Sequence, residues 1–361
     1  MLWRNNGGET LKKRRQRVNE AKIIYADAVC GLKELPDESI DCCVTSPPYY
    51  GLRDYGHDGQ IGLEASVEEY IERLLEVFRE VHRVMKPDGT LWVNIKDSYA
   101  GSGKGAAKYS DNAKKYKQGT SKGILGAAKA AEVKPRDAGI KPKDLMGIPF
   151  ILALALRAEG WYWRQVILWE KPNAMPESAN DRCTESHEYV LLFAKSRRYY
   201  FDYEAIMEPA VGFDRTPPAG GRGTLRPNSR RRKGNAKSFR GGGAYTAHQT
   251  VDNSTDAERE THGNTPNDTG LRRKRTVWSI ATKGYTSANG EHYATFPPQL
   301  AKNCILAGCK AGGTVLDPFI GSGTVAEVAL RHGRNCVGIE LNPAYQTLIE
   351  ERIQNGKRES K

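Results

Sequence analysis

The chain has 361 residues with 55 Lys or Arg against 43 Asp or Glu, a formal net charge of +12. Its 39% of hydrophobic residues are enough to bury a core, which excludes a wholly disordered chain, and no run of about 18 apolar residues is present to span a membrane. Seven cysteines without a CxxC pair argue against a disulfide framework and a structural zinc site, and the polar, basic first twenty residues lack the apolar stretch of a secretory signal, so a soluble protein of a reducing, cytoplasmic compartment is expected.

In chain order, residues 1–20 read as a basic arm. A short buried strand over 23–27 ends in Asp27, and a second over 40–45 runs straight into Ser46-Pro47-Pro48-Tyr49. Ser66 with Glu69 makes an S-x-x-E capping box, and Ile71, Leu74, Leu75, Phe78 and Val81 recur at helical spacing behind it. Lys86-Pro87-Asp88-Gly89 stops that helix and turns the chain into a strand over 91–95. Residues 101–143 are lysine-rich and poor in large apolar side chains, the pattern of a flexible basic insertion. A helix over about 144–159 then leads through Gly160 to strands over 162–169 and 188–193.

The positive charge is uneven. Between Arg215 and Val251 there are nine basic residues and no acidic one, in a stretch rich in Gly, Ser, Pro and Asn. Arg272-Arg273-Lys274-Arg275 forms a second cluster. Such loops suit a phosphate backbone, where each neutralised phosphate releases counterions, or they are simply solvated. Charge alone leaves both readings open.

Alternation resumes with a strand over 314–317, a glycine loop, a helix over 322–332 and a strand over 335–340. Strands alternating with helices predict an α/β fold with a doubly wound, mostly parallel sheet. Residues 21–205 and 291–361 read as two parts of that one sheet, with 206–290 inserted between them. In the loop, Gly321-x-Gly323-x-x-Ala326 follows a strand, opens a helix, and is answered by Glu340 at the end of the next strand. Glycines let backbone approach a ligand, and an acid at the next strand end accepts from ribose hydroxyls. The absence of a GxxxxGK[ST] run argues against a nucleoside triphosphatase, and leaves NAD and S-adenosylmethionine as the candidates.

Two prolines after a strand end sheet pairing and hold their carbonyls rigidly outward. At 46–49 a Ser hydroxyl and a fixed Pro carbonyl are then placed to accept from one NH₂ group, while Tyr49 offers a flat face to a base. The exocyclic amino group of a nucleobase is a poor nucleophile because its lone pair is delocalised into the ring. Two acceptors off the base plane free that lone pair by positioning and electrostatics.

These segments resemble the amino-group DNA methyltransferases that use S-adenosylmethionine. Val44-Thr45-Ser46-Pro47-Pro48-Tyr49 is similar to their catalytic motif, and Asp317-Pro318-Phe319-x-Gly321-x-Gly323-Thr324 to their cofactor motif. His292-Tyr293-Ala294-Thr295-Phe296-Pro297 resembles the segment before the cofactor motif, and Trp169-Glu170-Lys171-Pro172-Asn173 a segment near the target pocket. The order, catalytic motif first and cofactor motif last, resembles the β group, with a circularly permuted Rossmann-like fold and a target-recognition region in the middle insertion.

The resemblance implies catalytic roles for Ser46, Pro47, Pro48 and Tyr49. It implies a cofactor site with Asp27 near the adenine ring, Glu340 on the ribose, and Phe296 and Phe319 against apolar parts. Thr45, Asp317, Pro318, Gly321, Ser322, Gly323 and Thr324 complete that site. The implied partner is double-stranded DNA, contacted through Arg230, Arg231, Arg232 and Lys233 and through Arg272, Arg273, Lys274 and Arg275. A target base in a duplex must then be flipped out of the stack. Ser at the first motif position resembles cytosine-N4 enzymes; Asp or Asn there is more usual for adenine-N6 enzymes, which stay the alternative. An NAD-linked oxidoreductase, a silent nucleic-acid-binding module and an RNA substrate are the other readings, and the oligomeric state is not legible.

The remaining chemistry-bearing residues read as structural. None of the seven histidines pairs with Cys or Asp at ligand spacing, so no metal is expected. His187, beside Glu188, reads as a strand-start histidine bonded to backbone. Cys42 and Cys43 read as buried strand residues, and the absence of a Pro-Cys dipeptide counts against ring-carbon methylation. Trp161, Trp163 and Trp169 read as core.

Overall fold

The computed structural model describes residues 19–52, 56–57, 59–100, 140–141, 143–177, 179–210, 271–282, 285–286, 292–293 and 297–359. The chain divides into two compact units, 1–206 with 275–361, and 207–274. The larger unit holds β1 (Ala21–Tyr25), β2 (Ile40–Thr45), β3 (Met85–Ile95), β4 (Tyr162–Glu170) and β5 (His187–Ala194). In the smaller unit β6 (Glu208–Pro209) pairs antiparallel with β7 (Leu271–Arg272). The larger unit resumes with β8 (Val277–Ser279), the two-residue antiparallel pair β9 (Tyr285–Thr286) and β10 (His292–Tyr293), then β11 (Thr314–Asp317) and β12 (Asn335–Glu340).

Eight strands make one sheet in the order β1-β12-β11-β2-β3-β5-β4-β8. The last two long strands therefore wedge between β1 and β2, which joins the two sequence segments into a single sheet. All neighbours pair parallel except β5, which runs antiparallel to both β3 and β4. The start of β5 thus lies with the carboxyl ends of the other strands. The insertion ends earlier than the sequence-based boundary at 290: Val277–Ser279 is a strand of the main sheet, paired with Leu168–Glu170, because Trp278 is buried beneath that edge.

Among the described residues six helices cover the sheet: α1 (Ala28–Lys33), α2 (Val67–Val84), α3 (Ile148–Ala158), α4 (Pro298–Gly308), α5 (Thr324–Arg331) and α6 (Gln346–Glu359). Alternate strand residues point to opposite faces. Cys43, Leu91, Val93 and Leu316 accordingly pack with α1, α2 and α3, whereas Cys42, Val44, Trp92 and Val315 pack with α4, α5 and α6. With both faces covered, β2 is buried at every residue, as a central parallel strand requires.

Local sequence explains most boundaries. Ser66 caps α2 by accepting from Glu69 N at 3.1 Å, and Glu69 reaches back to Ala65 N rather than to Ser66 N. The helix ends at Val84, but β3 begins at once, and Lys86–Gly89 forms a bulge between the Ile40–Met85 and Cys42–Thr90 pairs rather than a turn before the strand. Pro87 cannot donate to a ladder and is tolerated in that bulge. α3 starts at Ile148, four residues later than the pattern predicts, because Gly147 sits at φ +75° and cannot be helical. Its first N–H groups are capped from afar: Asp97, just past β3, accepts from Gly147 N and Ile148 N at 3.0 and 3.1 Å.

Candidate active site

The parallel strands end in a row of functional side chains, at the carboxyl edge where open α/β sheets place ligands. Asp27 follows β1 and caps α1, its Oδ1 accepting from Val29 N and Cys30 N at 2.9 and 3.3 Å. Glu340 closes β12. Its Oε2 accepts from Gly321 N at 2.8 Å and its Oε1 from Asn342 N at 2.9 Å, so the acid holds the glycine loop by its backbone. Burial pushes the Glu340 carboxyl up to about 7. Between Asp27 and Glu340 lies a cavity of about 130 Å³, walled also by Ser46, Pro48, Ile61, Phe319 and Tyr345. Two carboxylates facing apolar and aromatic walls form a donor set that fits a nucleoside: acceptors for hydroxyl and amino hydrogens, and flat surface for a ring.

The rest of the glycine motif supports that wall from behind. Asp317, at the end of β11, is 1% exposed, and its Oδ1 accepts from Thr45 Oγ1 at 2.6 Å and from Phe319 N at 3.1 Å. Burial pushes its carboxyl up to about 7 as well, opposed by the Thr45 bond. Thr45, Ser322 and Thr324 are likewise buried, and Thr324 Oγ1 accepts from the buried Arg352 guanidinium at 2.8 Å. Gly323 sits at φ +87°, where a Cβ would lie 3.3 Å from Ile349 Cα, so glycine is needed for both conformation and helix packing. The structure therefore brings Asp27, Pro318, Phe319, Gly321 and Glu340 to the cavity and sets Thr45, Asp317, Ser322, Gly323 and Thr324 outside its lining. Phe296 lies outside the described residues, as do Arg230, Arg231, Arg232 and Lys233.

The Ser46-Pro47-Pro48-Tyr49 loop leaves β2 beside this cavity. Tyr70 of α2 donates its hydroxyl to the Pro48 carbonyl at 2.8 Å, and among the described residues no group bonds the Pro47 carbonyl. Tyr49 donates to Glu188 Oε2 at 2.6 Å, and Ser46 Oγ lies 3.4 Å from the Tyr49 hydroxyl. Asn94 of β3 donates from Nδ2 to both Tyr49 Oη and Glu188 Oε2 at 2.8 Å. Lys171, just past β4, pairs with Glu188 Oε1 and lies over the Trp169 ring at 4.7 Å. Burial, then the Glu188 carboxylate, raises the Tyr49 hydroxyl well above the usual phenol range, so Tyr49 stays protonated.

A family model described as DNA methylase, of the N6/N4 group, matches residues 40–351. The type II methyltransferase M.SmaI of Serratia marcescens is 40% identical over 336 residues, 93% of this chain and 91% of its own. M.Cfr9I of Citrobacter freundii is 40% identical over 339 residues, 93% and 89% of the two chains. The chain belongs to this DNA methylase family. Two solved structures share the methylase's fold. The PvuII DNA methyltransferase (cytosine-N4-specific) superposes with a TM-score of 0.55 at 16% identity, over 93% of this chain and 86% of that one. A DNA modification methylase of Thermus thermophilus, complexed with S-adenosyl-L-methionine, gives 0.53 at 21% identity, over 93% and 94%.

In the methylase, several groups of the site carry no sequence signal. Asn94 and Glu188 meet Tyr49 only because β3 and β5 are antiparallel neighbours with Asn94 opposite Val190. Lys171 lies in the Trp-Glu-Lys-Pro-Asn segment singled out by resemblance, but its partner is legible only in the fold. His187 differs from expectation: its Nε2 lies 3.2 Å from the Tyr189 hydroxyl, a side-chain rather than a backbone partner. Trp161 and Trp169 are buried, as are Cys42 and Cys43, whose thiols burial pushes well up. In the second basic cluster Glu208 takes Arg272 at 2.9 Å and Lys274 at 3.8 Å, and Arg273 and Arg275 are exposed. Among the described residues no three His, Cys, Asp or Glu side chains gather as a metal site, and no helix is long and apolar enough to cross a membrane.

Proposed function

We propose that this type II DNA amino-methyltransferase methylates the N4 amino group of cytosine in double-stranded DNA, using S-adenosylmethionine as methyl donor. The observation that carries the choice of base is Ser46 at the head of the Pro-Pro-Tyr loop, in the position where adenine enzymes of the resembled family more usually carry Asp or Asn. When bound, S-adenosylmethionine supplies an electrophilic methyl group on a positively charged sulfur. The acids at the ends of β1 and β12 support a cofactor reading of the cavity, with Glu340 toward ribose hydroxyls, Asp27 toward the base and Phe319 against the ring.

The protein's part is positional. Ser46 Oγ and the Pro47 carbonyl accept the two amino hydrogens of the target, drawing its nitrogen out of conjugation. The Tyr70 bond to the adjacent Pro48 carbonyl supports a rigid loop, so those acceptors need no reorganisation during reaction. Tyr49 offers its ring face to the base. A paired cytosine hides its amino group in the duplex, so the base leaves the stack, and cations including Arg273, Arg275 and the 230–233 run hold the backbone while it does.

The test is direct. Purified protein is incubated with S-adenosylmethionine and unmethylated duplex DNA, the DNA is digested to nucleosides, and modified bases are quantified by mass spectrometry. N4-methylcytosine is the expected product, lost in Ser46→Ala. N6-methyladenine would overturn the choice of base and keep the reaction class.

A further inference from the structure

The target nitrogen must lose a proton for every methyl it gains, and the site contains a directed path for it. Ser46 Oγ is oriented to donate to Tyr49 Oη at 3.4 Å, and Tyr49 donates in turn to Glu188 Oε2 at 2.6 Å. Donation in that order leaves Ser46 with lone pairs for the substrate. Asn94 Nδ2 lies within 2.8 Å of Tyr49 Oη and Glu188 Oε2 and 3.4 Å from Ser46 Oγ, tying the three oxygens together. Glu188 is 6% exposed, and the Lys171 ammonium on its other oxygen compensates its charge. A buried carboxylate at the end of a hydroxyl chain is placed to accept a proton.

Resting on the amino-methyltransferase reading above, we infer that Glu188 is the terminal proton acceptor of the reaction, reached from the target amino group through Ser46 and Tyr49. The amino nitrogen forms its bond to the methyl carbon as the carbon–sulfur bond breaks with its electron pair left on sulfur. One N–H bond breaks with its pair left on nitrogen, and that proton goes to Ser46 Oγ. The Ser46 hydroxyl proton moves to Tyr49 Oη, and the Tyr49 proton to Glu188. One positive charge on sulfur and one negative charge on Glu188 disappear together, and the hydroxyls end as they began. Glu188 acts through Tyr49 and Ser46 and does not itself touch the base.

The test uses the full-length protein, a duplex substrate and single-turnover kinetics. Tyr49→Phe keeps the ring face and the Lys171–Glu188 pair but cuts the chain; Glu188→Gln removes the acceptor with little change of shape. Each variant is expected to lower the single-turnover rate constant by about 100-fold, the lower end for a positioned proton acceptor. Dissociation constants for S-adenosylmethionine and DNA, read by calorimetry, are expected to stay within a few-fold of wild type. A folding defect lowers the amplitude of the turnover, not its rate constant, which separates a structural role from this one. A wild-type rate constant in either variant overturns the relay and leaves the methyltransferase reading intact. No methylated base with the wild-type protein overturns that reading and the relay with it.

Discussion

Replacing Thr45 with Val probes the buried carboxylate beneath the cavity wall. Thr45 and Asp317 are each 1% exposed, and the 2.6 Å bond between them joins the ends of β2 and β11. Valine matches threonine in shape, so the substitution removes a hydroxyl donor and little else. A bond to an ionised group contributes about 1.5–3 kcal/mol and one between neutral groups about 1 kcal/mol, so the penalty depends on the charge of Asp317. That carboxyl is raised by burial from 3.8 to about 7. The folded state therefore binds this proton more tightly than the unfolded chain, and the stability it contributes at acid pH is lost as pH rises from about 4 to 7. Without Thr45 the folded-state value climbs further, by roughly one unit, which adds about 1.4 kcal/mol of loss on the alkaline side. Urea unfolding of the ligand-free protein is expected to give a penalty of about 1 kcal/mol near pH 5.5 and about 2–2.5 kcal/mol near pH 8.5. An equal penalty at both, or a larger one in acid, would refute a buried carboxylate titrating near neutrality.

Other consequences are independent of that one. Glu340 is raised to about 7, and under the proposed cofactor reading it accepts ribose hydroxyls best when ionised, so S-adenosylmethionine affinity is expected to weaken as pH falls through 7. Calorimetry should find that dependence flattened and the binding weaker in Glu340→Gln. A Cβ at Gly308 would lie 2.4 Å from Thr90 Oγ1 and 2.5 Å from Trp92 Nε1, so Gly308→Ala should force α4 off β3 and cost about 1–3 kcal/mol in urea unfolding. Ser66→Ala, far from the chemistry, should cost about 1 kcal/mol of stability through the lost α2 cap, with the methylation rate per folded molecule unchanged. Replacing Arg230, Arg231, Arg232 and Lys233 with alanine should flatten the dependence of DNA affinity on salt, by about 0.9 in the log–log slope for each phosphate left without its cation.

Local chemistry made much of this protein legible from its residues. Two prolines after a strand, a glycine turn before a helix, and an acid at the next strand end each need only a few neighbouring residues to be recognised. The α2 helix was equally readable, because Ser66 and the Ile71 to Val81 stripe carry its cap and its buried face within one segment. Where a boundary depends on something distant, the sequence misleads: α3 begins late because Gly147 is left-handed and Asp97, just past β3, caps it. The glycine motif was found as a unit, but only packing divides it into residues that line the cavity and residues, such as Asp317 and Thr324, that face inward.

What the tertiary structure alone decided is which side chains share the site. Asn94, Lys171 and Glu188 lie on or beside three different strands; Asn94 and Glu188 meet Tyr49, and Lys171 meets Glu188, because β5 runs against its neighbours and brings its first residues to the carboxyl edge. The same holds for charge: four consecutive basic residues look alike in a sequence, yet Glu208, more than sixty residues earlier, has already claimed Arg272 and Lys274. The short motifs carried the family resemblance that implied the class of chemistry, since such signals act over a few residues. Strand order and register decided which side chains meet Tyr49 and which cations Glu208 pairs, since hydrogen bonds and ion pairs act over ångströms in space, whatever the distance along the chain.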